Sequence, residues 1–335
     1  MITNNTSTQT TFPNRIAYFD ILKGIAIFLV VLGHCLQIFT PNWQENKIAL
    51  SIYMFHMPLF IFISGYFFYP SVKKIPLKEF IVKKFIRLYL PSLFWGLFNV
   101  SLMGVSKLLN NKDIEYYYFS KILFTGAWFL TALFIISIIG AFIEYSKSTQ
   151  KIKIWILCYF IIYFLPPLWM VNEIKFLTPF FIIGILVKKY ETIHMSLSTF
   201  LCMFILFIVC FHIYDFSYSL YSMTYNITET DYYLKSLIRF LAGISGITCV
   251  SCLCHYISKI PIPKCKEFLS YIGTITLPIY VLHQNFLIPN RLIQYTSNHI
   301  TIILVIAICC IFLSIITYKI IHRSSTLRLL CFGEK

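Results

Sequence analysis

The sequence predicts an all-α integral membrane protein of about ten transmembrane helices with both termini in the cytoplasm, on three observations. Hydrophobic residues fill 58% of the 335 positions and charged residues 12%, about half the charged share of an average soluble domain. Apolar stretches long enough to cross a bilayer recur along the chain. Lysines and arginines gather in alternate loops between them, the asymmetry that orients membrane proteins. A soluble fold of this length could not bury so much apolar surface, because a single core stops growing with chain length. The net charge of +15 would raise the question of nucleic acid in a soluble protein. Distributed this way it serves topology, and nucleic acid is not an expected partner.

A polar, uncharged tail over 1–14 precedes the first span, 17–39. That run is too long for a signal-peptide core and lacks a small-residue cleavage site, so it is expected to stay as a membrane helix. Further spans fall at 48–69, 85–106, 121–143, 153–170, 174–188, 197–216, 234–258, 268–289 and 299–321. The fifth and sixth are short, and Pro166-Pro167 between them breaks any continuous helix, which leaves a re-entrant hairpin open. Residues 322–335 read as a basic tail. With the N-terminus inside, 20 of the 28 basic residues lie on the cytoplasmic side, including the run Lys73, Lys74, Lys78, Lys83, Lys84 and Arg87. An odd number of spans breaks this pattern. No internal repeat is visible, and 1–335 reads as one domain in the cytoplasmic (inner) membrane. The longest outer loop, about 217–233, holds five tyrosines with Glu229 and Asp231. It reads as an interfacial aromatic belt, or as the cover of an outward-facing site.

Most of the 11 cysteines, among them Cys35, Cys158, Cys202, Cys210, Cys309 and Cys310, sit inside apolar runs. A secreted disulfide framework would place them in polar loops, so buried thiols acting as small hydrophobes are expected. Cys249, Cys252, Cys254 and His255 contain a C-x-x-C, but in a helix those offsets point side chains in different directions. No metal site is expected.

Ionisable groups inside a span cost on the order of 3 kcal/mol at mid-helix, so those that persist need partners or a purpose. In the first span Asp20 and Lys23 are three apart and can pair on one helix face. Lys23 and His34 are eleven apart, close to three turns, and share that face about 16 Å apart along the axis. Gly24 and Gly33 flank them and permit close approach of another helix or a ligand. Lys23 alone could simply snorkel to the inner interface. His34 sits in the outer half among Val, Leu and Cys, and His56 and His283 fall at similar depth. Three imidazoles at one level suggest a polar cavity opening outward. They suit a general base acting on a hydroxyl or a three-histidine zinc site. No carboxylate lies at that depth to orient zinc ligands, which disfavours the metal. Six positive charges between Lys73 and Arg87 exceed what topology needs. They suit a polyanion such as the phosphates of a nucleotide-like donor, or anionic lipid headgroups.

These residues resemble a known family. Lys23-x₁₀-His34 is similar to the Arg/Lys-x₁₀-His motif of the type 3 membrane acyltransferases. Lys84-Phe-Ile-Arg87, followed by Pro91, resembles that family's basic R-x-x-R motif in the first inner loop. The stretch from Phe55 through His56-Met-Pro to Ser64-Gly-Tyr66 resembles its second-span signature. Trp128-Phe-Leu130 and Leu277-Pro-Ile-Tyr-Val-Leu-His283 resemble later ones. The likeness runs from about 15 to 320, and the FHMPLF and LGH forms look most like the branch named for fucose 4-O-acetylase.

The resemblance implies an enzyme that takes acetyl groups from cytoplasmic acetyl-CoA, a co-substrate rather than a bound cofactor, to hydroxyls of surface glycans or lipid-linked sugars. By position it makes His34 the essential histidine and Lys23 its motif partner, with Asp20 beside it. Lys84 and Arg87 would contact the donor, with Lys73, Lys74 and Lys83 nearby. His56, Ser64, Trp128 and His283 would line the acceptor pocket. Lysine in place of arginine at two motif positions keeps charge and loses the bidentate fork. His34 would deprotonate the acceptor or accept the acyl group itself. Direct attack is simpler, because it needs no second nucleophilic step. An exporter of polysaccharide or lipid-linked glycan with the same fold is the alternative, although the pseudo-symmetric halves usual in transporters are not visible.

Overall fold

The computed structural model describes residues 15–109, 127–166, 170–191, 195–218, 230–293 and 299–334. Among them all regular structure is helical. In chain order the helices are α1 Arg15–Phe39, α2 Lys47–Val72, α3 Leu77–Lys84, α4 Leu90–Leu109, α5 Trp128–Tyr145, α6 Lys151–Phe164, α7 Val171–Tyr190, α8 Leu197–Ile213, α9 Thr230–Lys259, α10 Pro263–Thr274, α11 Thr276–Ile293, α12 Ile300–Ile321 and α13 Ser325–Phe332. Among the described residues, each apolar stretch expected from the sequence falls largely on helix. Among the described residues, five helices are long and apolar enough to cross a membrane: Tyr18–Phe39, Lys47–Val72, Trp128–Tyr145, Asp231–Lys259 and Ile300–Ile321. Most of the outer loop expected over 217–233 lies outside the described residues, as does the tail over 1–14.

Some of the helix breaks lie at proline. α6 ends at Phe164, ahead of Pro166, because the residue before proline is steered out of helical geometry. The single span expected over 268–289 is instead two helices meeting at Ile275. Pro278 lacks an amide hydrogen and is tolerated in a first helical turn, which is where α11 places it. The helical run that carries the third span begins at Leu77, ahead of the span expected from 85. α3 runs through a π-helical turn, Phe85–Tyr89, into α4, and Leu90 N donates to Phe85 O five residues back. Pro91 cannot donate to the Arg87 carbonyl, so the ladder widens there.

α1 and α2 form the centre. α2 packs along α7 and α9, and α1 packs against α10, α2, α11 and α12. In its most apolar stretch α2 is 67% buried, against 33% for α12. The outer helices turn apolar side chains outward: Phe160 and Ile161 on α6, Phe204 and Ile205 on α8, Val305 and Ile316 on α12. Exposed apolar faces of this extent suit lipid as solvent. The contact of α1 with α10 fixes the inner end of the site. Gly24 lies against the Leu269 carbonyl and Gly273 against the Asp20 carbonyl, so tightly that a Cβ at either position would strike backbone.

Candidate active site

α1 is unbroken from Arg15 to Phe39, so three turns hold Lys23 and His34 on one face about 16 Å apart. At the inner end Lys23 Nζ pairs with Asp20 Oδ1 at 2.5 Å. At the outer end His34 Nδ1 lies 3.2 Å from Gln37 Oε1, and Tyr53 Oη donates to the same oxygen at 3.0 Å. An amide oxygen only accepts. His34 Nδ1 is therefore assigned the proton, and Nε2 presents its lone pair. Gln284 Nε2 approaches that lone pair at 3.5 Å.

The other two histidines converge on the same place. The His283 ring centroid is 5.2 Å from that of His34, and His56 stands 5.0 Å from Tyr53. Both are buried. Each directs Nδ1 at the carbonyl one turn back, His56 at Ile52 O over 2.8 Å and His283 at Ile279 O over 3.0 Å. Their Nε2 atoms are then acceptors, and that of His283 is buried with no partner among the described residues. Among the described residues no group of three or more His, Cys, Asp or Glu side chains is placed to hold a metal ion. Cys249, Cys252 and Cys254 are buried free thiols on α9.

A cavity of about 190 Å³ opens below the histidines. Lys23 and Arg87 supply its charge. Ser64 and Thr276 supply hydroxyls, and Met57, Phe60, Phe129, Leu130, Leu133 and Leu277 supply apolar walls. Helical spacing explains the lining. Met57, Phe60 and Ser64 form one stripe of α2, and Thr276, Tyr280 and Gln284 form one stripe of α11. Tyr280 also lines a second, smaller cavity of about 10 Å³ with Trp95, Asn99 and Gln284, roughly the room one water needs. The stripe on α11 thus leads from the Lys23–Arg87 cavity past Tyr280 to Gln284, and from there to His34 Nε2. Beyond His34, a cleft of about 470 Å³ is lined by Gln44, Glu45, Lys47, Asp215 and Ser217 with Phe216. Trp43 meets the rings of both Phe216 and Tyr53 at its edge.

The basic run divides. Arg87 reaches the cavity, held by Glu334 at 2.9 Å and Phe332 O at 3.1 Å. Lys83 is exposed and paired with Glu79 at 2.8 Å, a contact of small energetic weight at a surface. Lys73 and Lys74 are exposed beyond α2, with Lys73 Nζ 2.6 Å from Tyr69 Oη. Lys84 is half-buried beside the Phe80 ring, and burial pushes its ammonium down to about 8. The cavity gathers Lys23, Ser64 and Arg87, and leaves Lys73, Lys74, Lys83 and Lys84 outside its lining. Trp128 stands half-buried at the start of α5, and its neighbours Phe129 and Leu130 are the residues that line the cavity.

The sequence reading does not single out Gln37, Tyr53, Gln284 or Glu334. Three of them carried a local signal. Gln37 is one turn beyond His34, Tyr53 one turn before His56, and Gln284 adjoins His283. Glu334 lies 247 positions from Arg87, and nothing local announces it.

With this geometry in view, comparison with known proteins is specific. The profile described as "Acyltransferase domain" matches residues 16–319. The chain belongs to that family, the type 3 acyltransferases, and with its apolar helices it is a multi-pass membrane protein. It is similar to the nodulation protein NolL of Sinorhizobium fredii, 32% identical over 181 residues, covering 52% of this chain and 49% of that one. It is also similar to the nodulation protein NolL of Mesorhizobium japonicum, 32% identical over 152 residues, covering 43% and 39% respectively. The aligned part thus spans half or less of these curated relatives. No solved structure matches the chain.

Proposed function

We propose that the protein is an O-acetyltransferase that moves an acetyl group from cytoplasmic acetyl-CoA to a hydroxyl of a surface glycan or lipid-linked sugar across the inner membrane. The observation that carries this reading is the line of residues from Arg87 and Lys23, through the apolar cavity, past Tyr280 and Gln284 to His34 Nε2. Ten crossings with both ends inside would put Arg87 on the face where acyl-CoA is made. Arg87 and Lys23 then hold phosphate oxygens, with Lys84 three residues before Arg87 in the chain. The pantetheine arm lies along Met57, Phe60, Leu130 and Leu133, and Ser64 is within the same lining. His34 Nε2 takes the proton of the acceptor hydroxyl, and its oxygen attacks the thioester carbonyl. The carbon–sulfur bond breaks, and coenzyme A leaves as a thiolate that is then protonated. Direct transfer of this kind needs no acyl-histidine. Gln37 and Tyr53 keep the proton on Nδ1, so the base stays in its working tautomer. The Gln44 amide, the Glu45 and Asp215 carboxylates and the Phe216 ring of the outer cleft suit a hydroxyl-rich acceptor.

Inverted membrane vesicles from expressing cells, supplied with acetyl-labelled acetyl-CoA, test the reading. Label is expected in the glycan fraction, and its appearance should require His34. Glycan crossing the membrane with no label attached would favour the exporter and reject the transferase.

A further inference from the structure

We propose that Glu334 is a positioning residue for Arg87, holding the guanidinium on the rim of the cavity in the orientation that receives the donor's phosphates; this rests on the donor-binding reading of Arg87 above. The chain beyond Ser325 is bound to the start of α4. Cys331 and Phe332 are buried, and Trp95 Nε1 donates to Cys331 O at 3.0 Å. Gly333 ends α13 with φ +62 and lies against the Ile86 carbonyl and Arg87 Cα, where a side chain would collide with backbone. A left-handed glycine closing a helix turns the chain sharply. Here the turn brings Glu334 back to the π-helical segment.

The contacts divide the guanidinium in two. Arg87 Nη1 is occupied by Phe332 O and Glu334 Oε1. Nε and Nη2 carry no hydrogen bond among the described residues, and the side chain lines the cavity with Lys23. The carboxylate is fixed in turn, because Tyr318 Oη donates to Glu334 Oε2 at 3.1 Å and His322 Nε2 lies 3.8 Å from the same oxygen. A carboxylate that blocked the site would compete for the phosphate-facing nitrogens. This one grips a single nitrogen. It fixes a long side chain before binding, which lowers the entropy lost when the donor arrives.

The test is acetyl-CoA affinity of the purified full chain in lipid nanodiscs, with the melting temperature followed for every variant. Arg87→Ala should weaken binding about thirtyfold, Glu334→Ala about tenfold and Glu334→Gln about threefold, since the amide oxygen still accepts without charge assistance. Glu334→Ala on the Arg87→Ala background should change nothing further, as expected for two residues acting through one contact. Equal weakening on both backgrounds would mean a merely structural tail and would overturn the proposal. So would wild-type or tighter binding by Glu334→Ala, the mark of a competing carboxylate. If Glu334→Ala does not fold, Glu334→Gln decides, and wild-type affinity there rejects the role. If Arg87→Ala itself binds normally, the donor reading of Arg87 fails first and the inference falls with it.

Discussion

The two ends of the proposed path are built from different materials. Around His34 the partners are neutral: two amides, a phenol and two further imidazoles, held within hydrogen-bond and ring-contact distance. Around Arg87 the partners are a carboxylate and a backbone carbonyl brought from more than two hundred positions away, with the Lys23 ammonium in the same lining. A base that must stay neutral until it takes a proton is served by acceptors and donors without net charge, since buried charge is costly where lipid surrounds it. A mouth built to hold phosphates is served by cations at the watery edge. On the proposed reading one end governs bond-making and the other governs affinity, so variants should separate them.

The largest effect is expected at the outer end. His34→Ala should lower transfer on the order of a thousandfold by removing the general base, with acetyl-CoA affinity within about twofold of wild type. Label incorporation and donor binding, measured on one preparation, check both halves. Loss of donor affinity in that variant would erase the distinction between the two ends. Gln37→Leu comes next. Without its acceptor the imidazole is free to switch tautomer, and the turnover number should fall on the order of tenfold to a hundredfold with little change in the Michaelis constant for acetyl-CoA.

What could be read from the sequence follows the same division. The pairs Asp20–Lys23 and Lys23–His34 lie within one helix, and helical spacing places them once the helix is recognised. The convergence of His34, His56 and His283 at one depth was legible for a related reason, because hydropathy marks where each span begins and ends. Arg87 could be assigned to a basic loop, but its carboxylate partner could not. Glu334 meets it only through the packing of α13 under α4, a long-range contact with no periodic signature. The break at Ile275 lay in between. Pro278 was visible, yet a proline inside a span can kink a helix as well as restart it. Gly273 against the Asp20 carbonyl is a packing fact that no spacing reveals.

At the inner end the effects should be smaller and confined to the donor. Arg87→Ala should raise the Michaelis constant for acetyl-CoA about thirtyfold while the turnover number at saturating donor stays within about threefold of wild type. An equal fall in turnover would move Arg87 from binding into the chemical step. Lys84 provides the smallest and most diagnostic effect. Burial lowers its ammonium to about 8, so its positive charge is present below that pH and lost as pH rises through it. Donor affinity should therefore weaken about threefold between roughly pH 7 and pH 9, and Lys84→Arg should flatten that profile because a guanidinium keeps its charge throughout. A flat wild-type profile would place Lys84 outside donor recognition.

Whether the two ends belong to one path is best tested by obstructing the cavity between them. Ser64→Trp would fill much of the 190 Å³ space while leaving both His34 and Arg87 in place. In sealed inverted vesicles given labelled acetyl-CoA on the outside, the Arg87 side on the proposed topology, label should reach enclosed glycan in the wild type and fall to background in Ser64→Trp. Undiminished transfer through the filled cavity, or efficient transfer when acetyl-CoA is offered only on the His34 side, would contradict the connection.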